Sequence, residues 1–493
     1  MKKFDLCIIG AGPSGYAAAM RAIDFGKKVA LIEKAEIGGA GVTNGALSSK
    51  TWWELARNVD RFIRNKSRYN LSSPTLNFDQ LKGEVDDAVN DRKTLLSNHI
   101  KEINKQAPEG SIDLIMGEAH LRTKNIIDIT TADGTSSIEA DFIVLASGSR
   151  PRKLAAIPID ENIIMTSDGI ANLKEFPKSM VILGAGVIGC EFATIFSSMR
   201  CTKVHLIDKG DRILPFEDKD VVKVIEENME ANDILIHRNS RMIRMDIVDG
   251  QVEYELEYSD GKKEIFHVEK ALVSVGRVPN YENLGLEEIG VEIDGRGIID
   301  HDTQTSIDNI YAVGDITADI ALVNVGELEG RYAVERIFST PSHNLIYENI
   351  STIMFLKPEV AGVGLNETQA REKGINYKVA KVDYSVIPRA MAQRNTQGFV
   401  KMLVTDDDQM KIIGLRVVGQ HASSAMQSIA LLISMDKGIE EIAECVHPHP
   451  SIPEGIQECV RLFLGKSTFK PYALNNLLYC EVYHCDESEV VKG

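Results

Sequence analysis

The sequence lacks any apolar run of the roughly 20 residues that a membrane-spanning helix requires. It also lacks an excess of basic residues, because 55 lysines and arginines face 72 aspartates and glutamates, for a formal net charge of −17. Such a charge repels phosphate backbones and anionic lipid. No apolar signal segment precedes the first strand-like run, residues 4–9. The sequence therefore predicts a cytoplasmic enzyme without a membrane span or a nucleic-acid partner.

Cysteine, proline and aromatic residues are also scarce. Aromatics make up 6% of the chain, and 15 prolines stand against 38 glycines, which is typical of a globular protein with many tight turns. The seven cysteines are too few and too scattered for a secreted disulfide scaffold. The length of 493 residues exceeds what one hydrophobic core usually serves, so several packed units are expected.

One local pattern occurs twice in the chain. Each copy has a buried strand, three glycines, a helical segment and a second strand that ends in an acid. The residues are Gly10, Gly12, Gly15 and Glu33 in the first copy, and Gly184, Gly186, Gly189 and Asp208 in the second. The glycines permit a tight turn, approach of the backbone to a pyrophosphate and close helix packing, while the acid accepts hydrogen bonds from ribose hydroxyls. Two complete copies predict two dinucleotide sites.

The rest of the chain gives a coarser prediction of its secondary structure. Residues 77–106 have helical spacing and many charges, which predicts a long solvent-facing helix pair. Strands are predicted at 126–129, 142–145 and 252–258. Beyond about residue 350, predicted strands at 351–355, 377–384 and 398–404 precede a predicted helix at 425–435, which indicates a third, α+β unit.

Further motifs follow the two glycine turns in a fixed order. They are residues 146–151 (ASGSRP), 276–280 (GRVPN), 311–315 (YAVGD), 358–361 (PEVA) and 447–454 (HPHPSIPE). Over residues 4–465 this order resembles the pyridine nucleotide–disulfide oxidoreductases, FAD flavoproteins of the dihydrolipoamide dehydrogenase and glutathione reductase type.

The resemblance implies an α/β fold with two Rossmann-like dinucleotide-binding domains and a C-terminal α+β dimerisation domain. The expected divisions are an FAD domain at 1–150 and 276–345, an NAD(P) domain at 151–275, a dimerisation domain at 346–465 and a C-terminal tail at 466–493. A homodimer is therefore expected.

The resemblance also implies the binding residues. The expected FAD set is Gly10, Gly12, Gly15, Glu33, Ser147, Gly148 and Asp315, and the expected NAD set is Gly184, Gly186, Gly189, Asp208, Gly276 and Arg277. Lys50 and Glu191 match the lysine and glutamate that pair beside the flavin N5 in the family. The carboxylate of Asp208 would repel a 2′-phosphate, so NAD(H) is expected rather than NADP(H), although Lys203, Lys209 and Arg212 lie nearby in sequence.

The sequence departs from the family at its reactive centre. Disulfide-reducing members carry two cysteines in the pattern GG-x-C-x4-C-x2-SK, and here these positions are Gly41 and Ala46. Neither residue can relay electrons as a thiol. Hydride is therefore expected to pass from NADH through FAD to a non-disulfide, small-molecule acceptor: a quinone, oxygen or a second pyridine nucleotide.

The histidine motif is retained. His449 and Glu454 match the family's general acid/base histidine, supplied by the partner subunit, and the glutamate that orients it. A purely structural role, with the prolines fixing the loop, remains open for His449. No metal site is predicted.

Two other functions remain open from the residues alone. Cys480 and Cys485 repeat the missing spacing near the C-terminus and would allow a dithiol/disulfide reductase whose tail takes electrons from the flavin. His484 and Asp486 beside them leave a metal site as a lesser alternative. A flavin redox sensor that signals without turnover would also keep both nucleotide sites.

Overall fold

The computed structural model describes residues 1–72, 74–106, 109–317, 319–485 and 491–492, with only the backbone described for the last two; Asp486 of the alternative metal site lies outside these residues. The helices are α1 Pro13–Asp24, α2 Gly39–Val42, α3 Ala46–Asn65, α4 Phe78–Gln106, α5 Val187–Ser198, α6 Lys219–Ala231, α7 Val323–Phe338, α8 Glu367–Glu372, α9 Pro388–Ala392, α10 Met426–Ser434, α11 Glu440–Ala443 and α12 Glu454–Phe463. Short 3₁₀ helices span Lys66–Tyr69, Ser167–Asn172, Gly314–Ile316, Tyr384–Val386 and Ala422–Ala425.

The strands confirm the alternation of strands and helices that the sequence predicts. They are β1 Lys2–Ile9, β2 Lys28–Glu33, β3 Ser111–Met116, β4 Glu118–Leu121, β5 Ile126–Thr131, β6 Gly134–Leu145, β7 Ser149–Pro151, β8 Ile164–Met165, β9 Ser179–Leu183, β10 Lys203–Ile207, β11 Leu235–His237, β12 Ser240–Val248, β13 Gln251–Tyr258, β14 Lys263–Val268, β15 Lys270–Val273, β16 Arg277–Pro279, β17 Ile310–Ala312, β18 Ser351–Met354, β19 Val360–Gly364, β20 Tyr377–Asp383, β21 Phe399–Thr405, β22 Ile412–Val418, β23 Leu478–Tyr483 and β24 Val491–Lys492.

The chain divides into two compact units, 1–180 with 244–254 and 265–345, and 181–243 with 255–264 and 346–493. In the first unit β3, β2, β1 and β6 form a parallel sheet, which β17 extends in parallel at β6, while β5 and β4 add antiparallel strands. The second half of the inner strand β1, residues 6–9, is apolar and buried because both faces of a central parallel strand are covered. Helix α1 packs closely on α7, where Gly330 leaves room for the backbone of Ser14.

The prediction of a helix pair at residues 77–106 is wrong, because α4 is one continuous helix of 29 residues. Its buried residues are Val85, Val89, Leu96 and Ile100. Their spacing keeps them on one stripe of a single helix, so no turn is needed to bury them. Among the helices of the described ranges, none has both the length and the apolar composition needed to cross a membrane.

The second unit contains a largely antiparallel sheet in the order β18, β19, β22, β21, β20, β23 and β24. β23 lies in the segment predicted as a tail, yet it pairs with β20 on one side and β24 on the other, so that part of the chain belongs to the sheet. Side chains alternate across the sheet: Ala380 and Met402 point into an apolar core that includes Cys459 of α12, while Lys381 and Lys401 belong to the opposite face.

That opposite face carries a row of cations. Lys381 pairs with Lys401 across β20 and β21, and Lys401 pairs with Arg416 across β21 and β22. The neighbour of Arg416 on β19 is Gly362, where a Cβ would lie 2.9 Å from the arginine side chain. A glycine at this position therefore makes room for the guanidinium.

Carboxylates neutralise the row. The Lys401 ammonium is fully buried and lies 2.7 Å from Asp218, 2.7 Å from Asp220 and 2.9 Å from Glu367. Burial alone would lower the pKa of Lys401, but these three carboxylates raise it above its ordinary value. Their oxygens have a spacing suited to a metal ion, and the ammonium supplies the positive charge among them. Arg416 likewise pairs with buried Glu217 at 3.2 Å.

Lys401→Met leaves three carboxylates facing one another without their buried counterion. We expect the free energy of unfolding to fall by about 3–5 kcal/mol, because breaking a buried ion pair leaves uncompensated charge. Urea denaturation followed by circular dichroism measures this change. The matched control is Lys411→Met, which removes the partly exposed pair with Asp436 and is expected to cost at most about 1 kcal/mol. Equal urea midpoints for the two variants would contradict the expectation.

Candidate flavin and nucleotide sites

The two glycine turns have the same backbone geometry. Gly10 N–H donates to the carbonyl of Ile32 at 2.8 Å, and Gly184 N–H donates to the carbonyl of Ile207 at 3.1 Å. The φ angles of the two glycines are +108° and +104°, in a region that side chains disfavour. Each turn therefore folds back on the end of the following strand, as the repeated pattern predicts.

The acid at the end of that strand is fixed by main-chain donors in both units. Glu33 is buried and accepts N–H bonds from Ala11 and Ala35, both at 2.8 Å.

Asp208 accepts equivalent bonds in the second unit. The N–H of Ala185 donates to it at 3.2 Å and the N–H of Gly210 at 2.7 Å. Each carboxylate is thus held at the glycine turn.

The space above both turns fits a dinucleotide. Gly12 and Gly186 precede the first turns of α1 and α5, no side chain caps either helix, and a Cβ at either glycine would meet nothing within 4 Å. Gly15 and Gly189 lie inside these helices, and a Cβ at Gly15 would lie 1.9 Å from the carbonyl oxygen of Gly10. Open helix N-termini suit phosphates. In the first unit the buried hydroxyl of Thr43 has no hydrogen-bond partner, which also fits a bound polar group.

The segment at residues 147–149 is held in place by Asn280. Ser147 Oγ donates to the Asn280 carbonyl at 2.6 Å, the Asn280 side-chain amide donates to the Ser147 carbonyl at 2.9 Å, and Asn280 N–H donates to the Gly148 carbonyl at 2.8 Å. Gly148 has φ +68° and open space beside it. These three hydrogen bonds thus hold the motif at residues 146–151 against the motif at residues 276–280.

Arg277 lies beside the expected flavin residue Asp315. Its guanidinium donates to Ser149 Oγ at 2.8 Å and to the Ser149 carbonyl at 2.7 Å, while Ser149 Oγ donates to Asp315 at 2.6 Å. The Arg277 and Asp315 side chains are 3.9 Å apart, and Gly276 before the arginine has φ +102°. The structure thus brings Arg277, expected in the NAD set, together with Asp315, expected in the FAD set.

A buried glutamate that the sequence did not single out supports Asp315. Glu329 in α7 accepts the N–H of Gly314 at 2.7 Å. Gly314 has φ +71°, and a Cβ there would lie 2.3 Å from Ser14 Oγ. Glu329 gave no signal in sequence because a single acid in an amphipathic helix is ordinarily solvated.

The positions of the missing thiols lie between α1 and α3. A Cβ at Gly41 in α2 would be 2.4 Å from Cγ of Pro13. The Pro13 ring therefore lies where a side chain at residue 41 would begin. Ala46 begins α3, and half-buried Lys50 lies one turn later with its ammonium 3.3 Å from Ser49 Oγ. The absent cysteines are therefore accompanied by tight packing at one of the two positions.

The second unit contains the retained histidine. Glu454, the first residue of α12, contacts His449 Nδ1 at 2.7 Å and accepts the Ser451 N–H at 2.7 Å. The His449 side chain is 69% exposed. His449 and Glu454 thus have the spacing and the contact that the motif predicts.

Glu191 lies in α5, where its buried carboxylate accepts the N–H of Phe355 at 3.0 Å.

The late cysteines differ in their surroundings. Cys480 lies in β23 opposite Ala380, and burial raises the pKa of its thiol to about 11. Cys485 is exposed just beyond the strand, where its N–H donates to Asn376 Oδ1 at 2.9 Å. A thiol with so high a pKa is a weak nucleophile near neutral pH.

Comparison with known families is decisive for the overall class. The model of a family described as pyridine nucleotide-disulphide oxidoreductase matches residues 4–330, and the model of its dimerisation domain matches residues 350–460. The chain belongs to the pyridine nucleotide-disulphide oxidoreductase family. This membership confirms the predicted fold class and the prediction of an FAD-dependent oxidoreductase that uses a pyridine nucleotide.

Relatives match over nearly their whole length. A dihydrolipoyl dehydrogenase of Geobacillus stearothermophilus is 31% identical over 463 residues, 94% of this chain and 96% of the relative. One of Buchnera aphidicola is 32% identical over 473 residues, with 95% and 98% coverage. The crystal structure of LpdA from Mycobacterium tuberculosis has a TM-score of 0.84 at 25% identity, covering 94% of this chain and 99% of that one. The Cu(II) complex of the Escherichia coli flavoprotein disulfide reductase RclA has a TM-score of 0.83 at 24% identity, with 94% and 100% coverage, which shows a shared fold.

Arg277→Met distinguishes a flavin role from a nicotinamide role for this residue. Because the guanidinium holds Ser149 and Asp315, its loss is expected to raise the dissociation constant of FAD about tenfold, which corresponds to about 1.4 kcal/mol. The KM for NADH is expected to change less than twofold. Arg122→Met, which removes an exposed pair with Asp128, serves as the control. A raised KM for NADH with an unchanged dissociation constant of FAD would instead support the NAD role expected for Arg277.

Gly41→Cys with Ala46→Cys tests whether the lost disulfide fits this backbone. We expect less than a tenth of the double variant to form the 41–46 disulfide under mild oxidation, because the new Cβ meets the Pro13 ring. Adding Pro13→Ala removes the clashing ring atoms and should allow the bond to form. Mass spectrometry of the bridged peptide measures both fractions, and complete oxidation of the double variant would contradict the steric argument.

Proposed function

We propose that this protein is a homodimeric, cytoplasmic, FAD-dependent NADH oxidoreductase that passes electrons to a small-molecule acceptor other than a disulfide. The observation that carries the proposal is the pair Gly41 and Ala46, which offers no thiol where disulfide-reducing relatives have two. The close packing of Gly41 on Pro13 supports it, since the Pro13 ring lies where a side chain at residue 41 would begin.

Residues of both units fit the proposed cofactors. FAD, when bound, supplies the capacity to accept hydride from a nicotinamide and to deliver two electrons onward. The first glycine turn and Glu33 would hold its adenosine and pyrophosphate, and Ser147, Gly148 and Asp315 would hold the remainder. Lys50 and Glu191 would orient the hydride transfer, as the family pattern suggests.

The second glycine turn would bind NADH. Asp208 is aligned by two backbone N–H groups, so a carboxylate is fixed where a 2′-phosphate would have to lie, which disfavours NADPH. The nearby Arg212 donates to the carbonyl of Pro215 at 2.8 Å. That contact occupies one nitrogen of the guanidinium, whereas Nη1 is buried without a hydrogen-bond partner among the described residues, so the preference for NADH rests on Asp208.

His449 would supply a proton to the acceptor. Glu454 engages Nδ1 of the imidazole, which leaves Nε2 on the exposed side to hold or release a proton. In the proposed dimer, His449 of one subunit faces the flavin of the other. A quinone or oxygen would accept hydride and a proton in this way, whereas a second pyridine nucleotide would accept the hydride alone.

The relatives named dihydrolipoyl dehydrogenase favour a second candidate, a disulfide reductase in which Cys480 and Cys485 replace the missing pair. The burial of Cys480 in a strand and its raised pKa weigh against that route. A sensor that binds both nucleotides without turnover is a third candidate.

Anaerobic titration separates these functions. We expect one equivalent of NADH to bleach the bound flavin fully, with two electrons taken up and no thiolate-to-flavin charge-transfer band. Absorbance spectra during the titration measure both quantities. Cys201→Ser, which removes an exposed thiol outside the candidate sites, serves as the control and should be bleached to the same extent.

Uptake of four electrons with a charge-transfer band that disappears in Cys480→Ser or Cys485→Ser would favour the tail dithiol. A flavin that NADH does not bleach would favour the sensor. An acceptor screen with quinones, oxygen, thio-NAD and lipoamide then identifies the acceptor class, and turnover with lipoamide as the best acceptor would overturn the proposal.

A further inference from the structure

Glu191 is held by a residue far away in the chain. Its carboxylate is 5% exposed and accepts the backbone N–H of Phe355 at 3.0 Å, a contact between α5 and the segment that follows β18. Buried carboxylates are costly unless donors compensate them, and main-chain donors to a charged acceptor are among the stronger compensations. The orientation of the Glu191 carboxylate therefore depends on the position of the Phe355 amide.

The Phe355 amide is itself rigidly placed. Met354 ends β18, which pairs with β19, and Leu356 N–H donates to the Met354 carbonyl at 2.9 Å. Met354 and Leu356 are both buried, so the peptide on each side of Phe355 is anchored in apolar packing. The amide thus projects from a tight turn whose two ends cannot move independently.

We propose that the Phe355 amide is a positioning group for Glu191, so that the start of the C-terminal sheet sets the geometry of the hydride-transfer site. The inference rests on the proposed function, in which Glu191 orients hydride transfer to the flavin. Reactions of this kind are sensitive to displacements of the orienting group of about 1 Å. Loss of the amide should therefore slow flavin reduction without weakening nucleotide binding.

Hydrogen exchange tests the contact without any need for catalysis. In Glu191→Ala, exchange of the Phe355 amide is expected to accelerate at least tenfold, as resolved by mass spectrometry with residue-level fragmentation. The Leu356 amide is the internal control, because its acceptor is the Met354 carbonyl and its exchange should not change. An unchanged rate at Phe355 would overturn the proposed contact.

Variants that lack the N–H test its effect on the reaction. Phe355→Pro removes the donor, and replacement of Phe355 by phenyllactic acid removes it while keeping the side chain, which covers the case in which proline prevents folding. We expect the stopped-flow rate of flavin reduction by NADH to fall about tenfold with KM changed less than twofold. Phe355→Leu keeps the amide and should reduce at the parental rate.

Two results separate this inference from the proposed function. A folded variant that lacks the N–H but reduces its flavin at the parental rate would overturn the positioning role while leaving the oxidoreductase intact. A parent protein whose flavin NADH does not reduce would overturn the proposed function, and the exchange experiment would still decide the contact between Glu191 and Phe355.

Discussion

The buried ammonium of Lys401 is the interaction on which the second unit depends. It lies on the central strand β21 and binds carboxylates from the start of α6 and from the first turn of α8. Asp218 additionally accepts N–H bonds from the first residues of α8. A buried charge is tolerated only when it is fully paired. The strand β21 and the helices α6 and α8 therefore have to pack cooperatively. The segment before α6 also reaches the second glycine turn, where Leu214 N–H donates to the Ala185 carbonyl at 2.9 Å.

Backbone N–H groups, more than side chains, fix the acids of the candidate sites. Each of these carboxylates accepts at least one main-chain N–H: Glu33, Asp208, Glu191, Glu329 and Glu454. Charge-assisted bonds of this type are short and directional, and their donors belong to turns that the fold itself fixes. The backbone therefore fixes the direction of each of these acids.

The position of the first missing thiol is closely packed in this structure. Glycine at position 41 allows α2 to pack directly against Pro13, and that packing in turn leaves no space for a side chain. The contact between His449 and Glu454 is present although residues 41 and 46 carry no thiol.

Much of this protein could be predicted from the sequence. The glycine turns, their terminal acids, the strand pattern and the absent cysteines are local features, each fixed by backbone conformation or by residue identity. The continuity of α4 was missed because charge and periodicity alone do not show where a turn interrupts a helix. The place of β23 in the C-terminal sheet was missed because strand pairing joins residues that are distant in the chain.

The sequence by itself therefore determined the two dinucleotide turns, the fold class and the lack of a disulfide at residues 41 and 46. Only the tertiary structure placed Arg277 beside Asp315, Glu329 on Gly314, Phe355 on Glu191 and Lys401 among three carboxylates. These contacts join residues between 15 and 183 positions apart. No local pattern encodes them, because their energies depend on burial and direction, which exist only once the chain has folded.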